Sequence, residues 1–370
     1  MELQEYRFDE VSNNHDKKRI PLSSAQRAKR QGNYRYYGAQ GVIDYIDDYI
    51  FDGTFMLIAE DGENLKSKKQ NIAQVVKGQF WVNNHAHIVT GNDLCDTRYL
   101  CYLINCMDLS GYVTGSAQPK LSQANLNAVK LLLPQIEMQK KIVDYLSKID
   151  EKIEVNTQIN KNLKQQAQAI YQQMFIDNAS SDWTEGTLSD IADITMGQSP
   201  SGSSYNEDGN GTIFFQGRAE FGFRFPTVRL YTIEPKRMAC ANDTLMSVRA
   251  PVGDLNVAHT DCCIGRGLAA IHSKNNHQSF VLYTMFSLKK QLDVFNGEGT
   301  VFGSINRNSL NEMPLLIPSS EKLDEFEALV DPMDAAIRNN YDEICRLEQL
   351  RDSLLPKLMS GELDVSDIEI

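Results

Sequence analysis

The stretch KLSQANLNAVKLLLP at 120–134 returns in altered form as SINRNSLNEMPLLIP at 304–318. Laying Pro134 on Pro318 sets an offset of 184 residues (318 − 134) and pairs Gly115 with Gly299, Leu121 with Ile305, Leu126 with Leu310 and Asn127 with Asn311. The match runs on without a gap: Leu146 meets Val330, Ile149 meets Met333, Ile153 meets Ile337, Leu163 meets Leu347, and Ile170 meets Leu354. A period this long is a duplicated domain, not a solenoid repeat. The chain is therefore expected to fold as two copies of one unit, each a globular part followed by a helical part. Fainter echoes lie upstream. FDEV at 8–11 resembles LSDI at 188–191, and DGTFMLIA at 52–59 resembles NDTLMSVR at 242–249. A length of 370 residues suits two domains.

After each repeated stretch the apolar spacing alternates four and three. The first run is Ile142, Leu146, Ile149, Ile153, Asn156, Asn160, Leu163, Ala167, Ile170 and Met174. The second is Phe326, Val330, Met333, Ile337, Asn340, Ile344, Leu347, Arg351, Leu354 and Leu358. Both are heptad seams. Each implies a helix of roughly 39 residues, or about 58 Å. An exposed seam of that length would aggregate, so the two helices are expected to pack on each other. Asn156 and Asn340 hold equivalent seam positions, and a buried Asn pair between them would set the register at some cost in stability. Ser320 is the expected N-cap of the second helix, and Gly361 follows it as a C′ residue. The spacing leaves open whether the helices run parallel or antiparallel. Either way they are longer than one turn of B-DNA, about 34–36 Å.

The globular parts, 1–135 and 182–319, read as mixed, β-rich domains. Strand-like runs include GVIDYI, TFMLIAE, QFWVNN and HIVT in the first, and TIFFQG, TLMSVRA and CCIGRGLAAIH in the second. DTRYLCYLINCM and QSFVLYTMFSL read as helices. The first domain carries KKRIPLSSAQRAKRQGNYRYYGAQG at 17–41, with seven basic residues and no acid. Such a stretch can bind phosphates, and its Arg and Gln can read base edges. A solvated basic loop is the alternative. The second domain has a thinner stripe of Arg218, Arg224, Arg229, Arg249 and Arg266 with Gln198 and Gln216.

Several function classes find no support. GRGLAA at 265–270 fits a dinucleotide fingerprint in spelling only, because it sits inside an apolar strand-like run. His85 with His87, and His259 with Cys262 and Cys263, fall short of a metal-site spacing. There is no Walker A, HExxH or GxSxG, and no (N/D/S)-P-P-(Y/F) motif of an amino-methyltransferase. Asp150 lies within the first heptad helix and is expected on its solvated face. A net charge of −12 argues against a general polyanion binder, though local patches set the field at a groove. The seven cysteines, odd in number and without a CxxC pair, suggest a reducing compartment. The opening MELQEYRFDE has no signal-peptide character. A cytoplasmic location is the expectation.

The duplicated run before each helix, the heptads and the ending LRDSLLPKLMSGEL at 350–363 resemble a specificity subunit of a type I restriction–modification system. NYRYYGAQGVIDYIDDYIFDGTFMLIAEDG at 33–62 and LMSVRAPVGDLNVAHTDCCIGRGLAAI at 245–271 look like variants of that family's target-recognition domains. The resemblance covers essentially the whole chain. It implies an α+β fold: target-recognition domains at 1–135 and 182–319, helices at 136–177 and 320–360 packed as an antiparallel coiled coil with pseudo-two-fold symmetry, and an acidic tail at 361–370. It also implies a non-catalytic subunit that recognises a bipartite double-stranded DNA target, with the helices setting the spacer. Two methyltransferase subunits would supply S-adenosylmethionine binding and adenine N6 methylation. A translocase–nuclease subunit would supply ATP- and Mg-dependent restriction. No cofactor is expected in this chain. A coiled-coil scaffold without DNA readout is the alternative. The expected DNA contacts are Arg27, Lys29, Arg30, Tyr34 and Tyr36 from the basic stretch. Gln118, Lys120, Ser304, Asn306 and Arg307 come from the repeated loop, and Gln198, Gln216, Arg218 and Arg249 from the second domain. The expected seam is Ile142, Leu146, Ile149, Ile153, Asn156, Leu163 and Ile170 against Val330, Met333, Ile337, Asn340, Ile344, Leu347 and Leu354.

Overall fold

A computed structural model describes residues 2–115, 118–297 and 303–365. Gly299 and the tail beyond 365 lie outside the described residues. The chain divides into two units, residues 1–154 with 344–370, and residues 155–343. Both long helices, Ile136–Tyr171 and Ser320–Ser360, therefore contribute to each unit. The first ends in a π-helical turn, Gln172–Asp177. Gly361 closes the second at φ +79°, as a C′ glycine does. The cap at the start of the second helix is Ser319 instead of Ser320: its Oγ accepts from the Lys322 amide at 3.4 Å.

The first unit is built on a six-stranded mixed sheet. Its strands, in spatial order, are Ser12–Asn14, Ala86–Gly91, Phe51–Ala59, Ala73–Val82, Gln31–Tyr37 and Val42–Ile46. The central run FMLIA is apolar at every position because both sheet faces are covered. Met56 and Ile58 enter one core with Tyr99 and Leu100 of the helix Thr97–Cys106. Leu57 enters another with Phe51, Phe80 and Ile88. The first of these cores also takes Ile142, Val143 and Leu146 from the first long helix and Leu358 and Met359 from the second.

The second unit has a four-stranded antiparallel sheet, ordered Ala192–Met196, Leu268–Ser273, Thr244–Ser247 and Leu255–Val257. A five-stranded sheet contains Thr212–Phe215 and Cys262–Ile264. Along Leu268–Ser273 the side chains alternate between two cores, Ala269 and Ile271 against Leu268 and Ala270. The expected single strand CCIGRGLAAIH is two strands, broken at 265–267.

The duplication is visible in detail. A two-stranded ribbon, Gln4–Arg7 with Lys130–Leu133, recurs as Thr184–Thr187 with Pro314–Ile317. The bond from the Phe8 amide to the Val129 carbonyl recurs from Leu188 to Met313, each 2.9 Å. Ser122 caps the short helix Gln123–Asn127, and Asn306 caps Arg307–Asn311. One echo needs correction. Met56 pairs with Val89 where Thr244 pairs with Ile271. The two strands therefore correspond two residues away from the 52–59/242–249 alignment. A slip of two keeps every side chain on its own face, so the apolar pattern does not distinguish the registers.

Within each unit the long helices run antiparallel. In the second unit Asn160 donates to the Ile337 carbonyl (3.3 Å) and accepts from Asn340 Nδ2 (2.9 Å), while Asn156 donates to Glu343 (2.7 Å). The expected Asn156–Asn340 pair is therefore replaced by Asn160–Asn340. Ile142, Leu146, Asn156, Val330 and Ile337 are buried, and Ile149, Ile153, Leu163, Ile170, Met333, Asn340, Ile344, Leu347 and Leu354 are half-buried. Asp150 is not merely solvated. It accepts from Tyr102 Oη at 2.5 Å and pairs with Arg351 at 3.0 Å. The second unit repeats the motif with Tyr283 and Asp334 (2.9 Å), but there the guanidinium is Arg224, 2.6 Å from Asp334. Ala167 occupies the position equivalent to Arg351 (351 − 184), so a different arginine serves the second copy.

Candidate nucleic-acid interface

In the second unit, separate pieces of sequence meet at one concavity of about 290 Å³, lined by Ser199, Gln216, Arg249, Arg266 and Gly267. Glycines bring the backbones this close. A Cβ on Gly265 would stand 2.8 Å from the Gln216 carbonyl oxygen, and one on Gly197 would stand 2.1 Å from that of Gly265. The Gly265 amide donates to Phe215 O (2.8 Å), the Gln198 amide to Ile264 O (2.9 Å) and the Arg266 amide to Ser199 Oγ (3.2 Å). Arg249 follows the strand Thr244–Ser247 and pairs with Ser304 of the repeated loop through an isolated antiparallel bridge. Bonds from the Ala250 amide to Gly303 O (3.0 Å) and from the Ile305 amide to Val248 O (3.1 Å) hold that loop in place.

The side chains of Gln198, Gln216, Arg249, Arg266, Ser304, Asn306 and Arg307 are exposed. Asn306 also caps its helix, accepting from the Ser309 amide at 2.9 Å. Among the described residues, Arg249, Arg266 and Arg307 have no carboxylate partner. Arg218, by contrast, is tied to Asp254. Arg224 is buried against Asp334, and Arg229 pairs with Glu220.

In the first unit three of the seven cations of the basic stretch, Arg19, Arg27 and Arg30, are paired with carboxylates by the fold. Arg27 binds Asp44 (2.8 Å) and the Leu22 carbonyl (2.8 Å) and lies over the Tyr36 ring. Arg30 pairs with Asp47 (2.9 Å) and lies over Trp81. Arg19 binds Glu60 at 2.8 Å, and Arg35 donates to the Lys77 carbonyl at 2.6 Å. Lys29 is exposed and without a partner among the described residues, and Tyr34 is half-buried against Tyr49. Gln118 and Lys120 are exposed at the repeated loop, Lys120 within 3.3 Å of Glu60. Asp61 bridges Lys120 as Arg249 bridges Ser304. The same frame position is therefore acidic in one unit and basic in the other.

Behind Lys120 lies a buried ionic group. His87 Nδ1 is 2.6 Å from Asp16 Oδ2, and Nε2 is 2.8 Å from the Leu121 carbonyl. Both ring nitrogens face acceptors, an arrangement that favours the doubly protonated ring. Burial opposes that charge, but the bonds to Asp16 and Leu121 and the charges of Asp16 and Glu60 outweigh it and raise the His87 pKa. Burial likewise opposes ionised Glu60, yet Arg19, His87 and Lys120 hold its carboxyl below the usual range.

The family model of the type I restriction modification DNA specificity domain matches residues 1–165 and 180–349. The chain belongs to that family. It is a DNA specificity subunit of a type I restriction–modification system. A putative MjaX specificity subunit of Methanocaldococcus jannaschii is 32% identical over 290 residues, covering 72% of this chain and 68% of the relative. The MjaIX specificity subunit of the same organism is 25% identical over 332 residues, covering 80% and 75%. The crystal structure of an S subunit from M. genitalium matches 97% of this chain and 96% of its own, with a TM-score of 0.67 and 14% identity, a likeness of fold.

Within this specificity subunit the DNA-contact expectations divide. Tyr36 must be withdrawn. Its ring is fully buried, and its hydroxyl accepts from the Leu22 amide at 2.9 Å. Arg27, Arg30 and Arg218 are held by aspartates that sequence proximity did not reveal: Asp44 lies in the strand Val42–Ile46 and Asp47 just after it, and Asp254 is 36 residues from Arg218. Arg266 was one member of a weak stripe. The Gly-x-Gly around it was the available signal, since such a pair permits close backbone approach and displays the residue between.

Proposed function

We propose that the chain recognises a split double-stranded DNA sequence, each β-rich body (1–135 and 182–319) reading one half and the long helices setting the gap. The convergence of unpaired guanidiniums and carboxamides from distant segments of the second unit carries this reading. Guanidinium and carboxamide are the groups that read guanine and adenine edges bidentately, while exposed cations hold phosphates. Gln198, Gln216, Arg249, Ser304, Asn306 and Arg307 are the proposed DNA-facing residues of the second unit. Lys29, Tyr34, Gln118 and Lys120 are their counterparts in the first. Different chemistry at the same frame position, Asp61 with Lys120 against Arg249 with Ser304, supports different bases in the two halves.

Two methyltransferase subunits carry S-adenosylmethionine and the adenine N6 chemistry in this reading. A translocase–nuclease with ATP and Mg adds restriction, and the assembly works in the cytoplasm. With a net charge of −12 on this chain, much of the cationic surface around the DNA belongs to those partners.

Long-read methylation sequencing of cells expressing this chain with its neighbouring methyltransferase tests the reading. The expected result is a split motif carrying methyladenine in both halves, lost when this chain is omitted. No new methylation, although the two proteins co-purify, would exclude it.

A further inference from the structure

We propose that Arg266, displayed from the Gly265–Gly267 turn and flanked by Arg249, reads a guanine in the half-site of the second unit; this rests on the function proposed above. The spelling GRGLAA has no dinucleotide role here, and the structure supplies another reason for it. Gly265 and Gly267 allow the 216–217 backbone to cross directly over the turn, because a Cβ at either would meet Gln216 O within 2.9 Å. The crossing clamps the turn from one side. The Arg266 amide bond to Ser199 Oγ clamps it from the other. The backbone is held on both sides, while the side chain is exposed and meets no carboxylate among the described residues.

Arg249 enters the same concavity from just beyond the strand Thr244–Ser247, and its backbone is pinned by the loop before the second long helix. Two guanidiniums brought together without an acid repel each other. The arrangement stabilises an electron-rich acceptor placed between them. A rigid mount separates base reading from phosphate holding, since a phosphate contact tolerates a mobile lysine but a bidentate one to guanine O6 and N7 requires a fixed fork. Gln216 and Ser199 on the same rim suit the neighbouring base pair.

The test uses the full chain assembled with its methyltransferase. Initial methylation rates are measured on duplexes in which each position of the second half-site carries each of the four base pairs. For R266A the expected result is a loss of about 5- to 150-fold in discrimination at one G·C position, with the first half-site still fully discriminated. R266K is not expected to restore it. R249A should weaken the same position or its neighbour.

A uniform fall in rate on every duplex, restored by R266K, makes Arg266 a phosphate contact and overturns the proposal. An unchanged profile, or a second half-site without guanine, overturns it as well. A wild-type complex that assembles but methylates no split motif overturns the function proposed above, and this proposal with it. Co-purification with the methyltransferase and an unchanged unfolding midpoint confirm that each variant is intact.

Discussion

At the scale of single residues the first unit is defined by a buried charge pair, His87 with Asp16, and its neighbours Arg19 and Glu60. The signs for pH dependence differ within the pair. The His87 pKa is raised above its ordinary 6.5, so its contribution is complete below that value and is lost as pH rises through the raised pKa. Burial works against ionised Asp16, but hydrogen bonds from His87 and the Ile88 amide lower its pKa below 3.8. Its contribution is present above that value and is lost as pH falls through the lowered pKa. Urea unfolding of the first unit across this range should show a plateau falling at both ends. H87A leaves Asp16 buried with the Ile88 amide as a donor and Arg19, 3.4 Å away, as its remaining cation, and should cost about 3–5 kcal/mol below pH 6.5 while flattening the alkaline limb. An unchanged midpoint would show that the pair contributes nothing. The residue scale is also where sequence reading failed most often. Arg27, Arg30 and Tyr36 look alike in a string of basic and aromatic residues, and only their contacts separate core and ion pair from free surface.

At the scale of elements the heptads and most strands were legible, because periodicity is local. Registers were not. Asn160, not Asn156, meets Asn340, since the helices run antiparallel and packing elsewhere sets which turns face each other. N160A removes the acceptor for Asn340 and the donor to Ile337 O from a buried site, and should lower the unfolding free energy of the second unit by about 1–3 kcal/mol. The tight crossing near the Gly-Arg-Gly turn makes a sharper claim. In G197A the new methyl would stand 2.1 Å from the Gly265 carbonyl oxygen, backbone against side chain with no flexible end to yield. Overpacking there should cost about 1–3 kcal/mol, read as a lower urea midpoint. A neutral G197A would mean the crossing is looser than described.

At the scale of the whole molecule each unit borrows from both long helices. Leu358 and Met359, near the end of the chain, are buried in the same core as Met56 and Tyr99 of the first unit. L358A should therefore destabilise the first unit by about 2–5 kcal/mol. Hydrogen exchange is expected to rise along 51–59 and 86–91, and not along 244–273. Faster exchange in the second unit instead would contradict that assignment. The proposed spacer role of the helices makes a separate prediction. Inserting one heptad into each long helix adds about 10 Å at 1.5 Å per residue, roughly three base pairs, and should lengthen the gap of the methylated motif without changing either half. Altered half-sites would contradict it.

The sequence by itself determined the duplication, the heptad helices, the β-rich bodies and the family, because each rests on patterns that survive over short windows or repeat at a constant offset. Only the tertiary structure decided which cations are free. Whether an arginine is available depends on carboxylates within a few ångströms, and Asp44, Asp47, Asp254 and Asp334 arrive from other strands, loops and helices. It also decided that Arg249, Arg266 and Gln216 share one concavity, since strand pairing and glycine crossings, not proximity in the chain, bring them together.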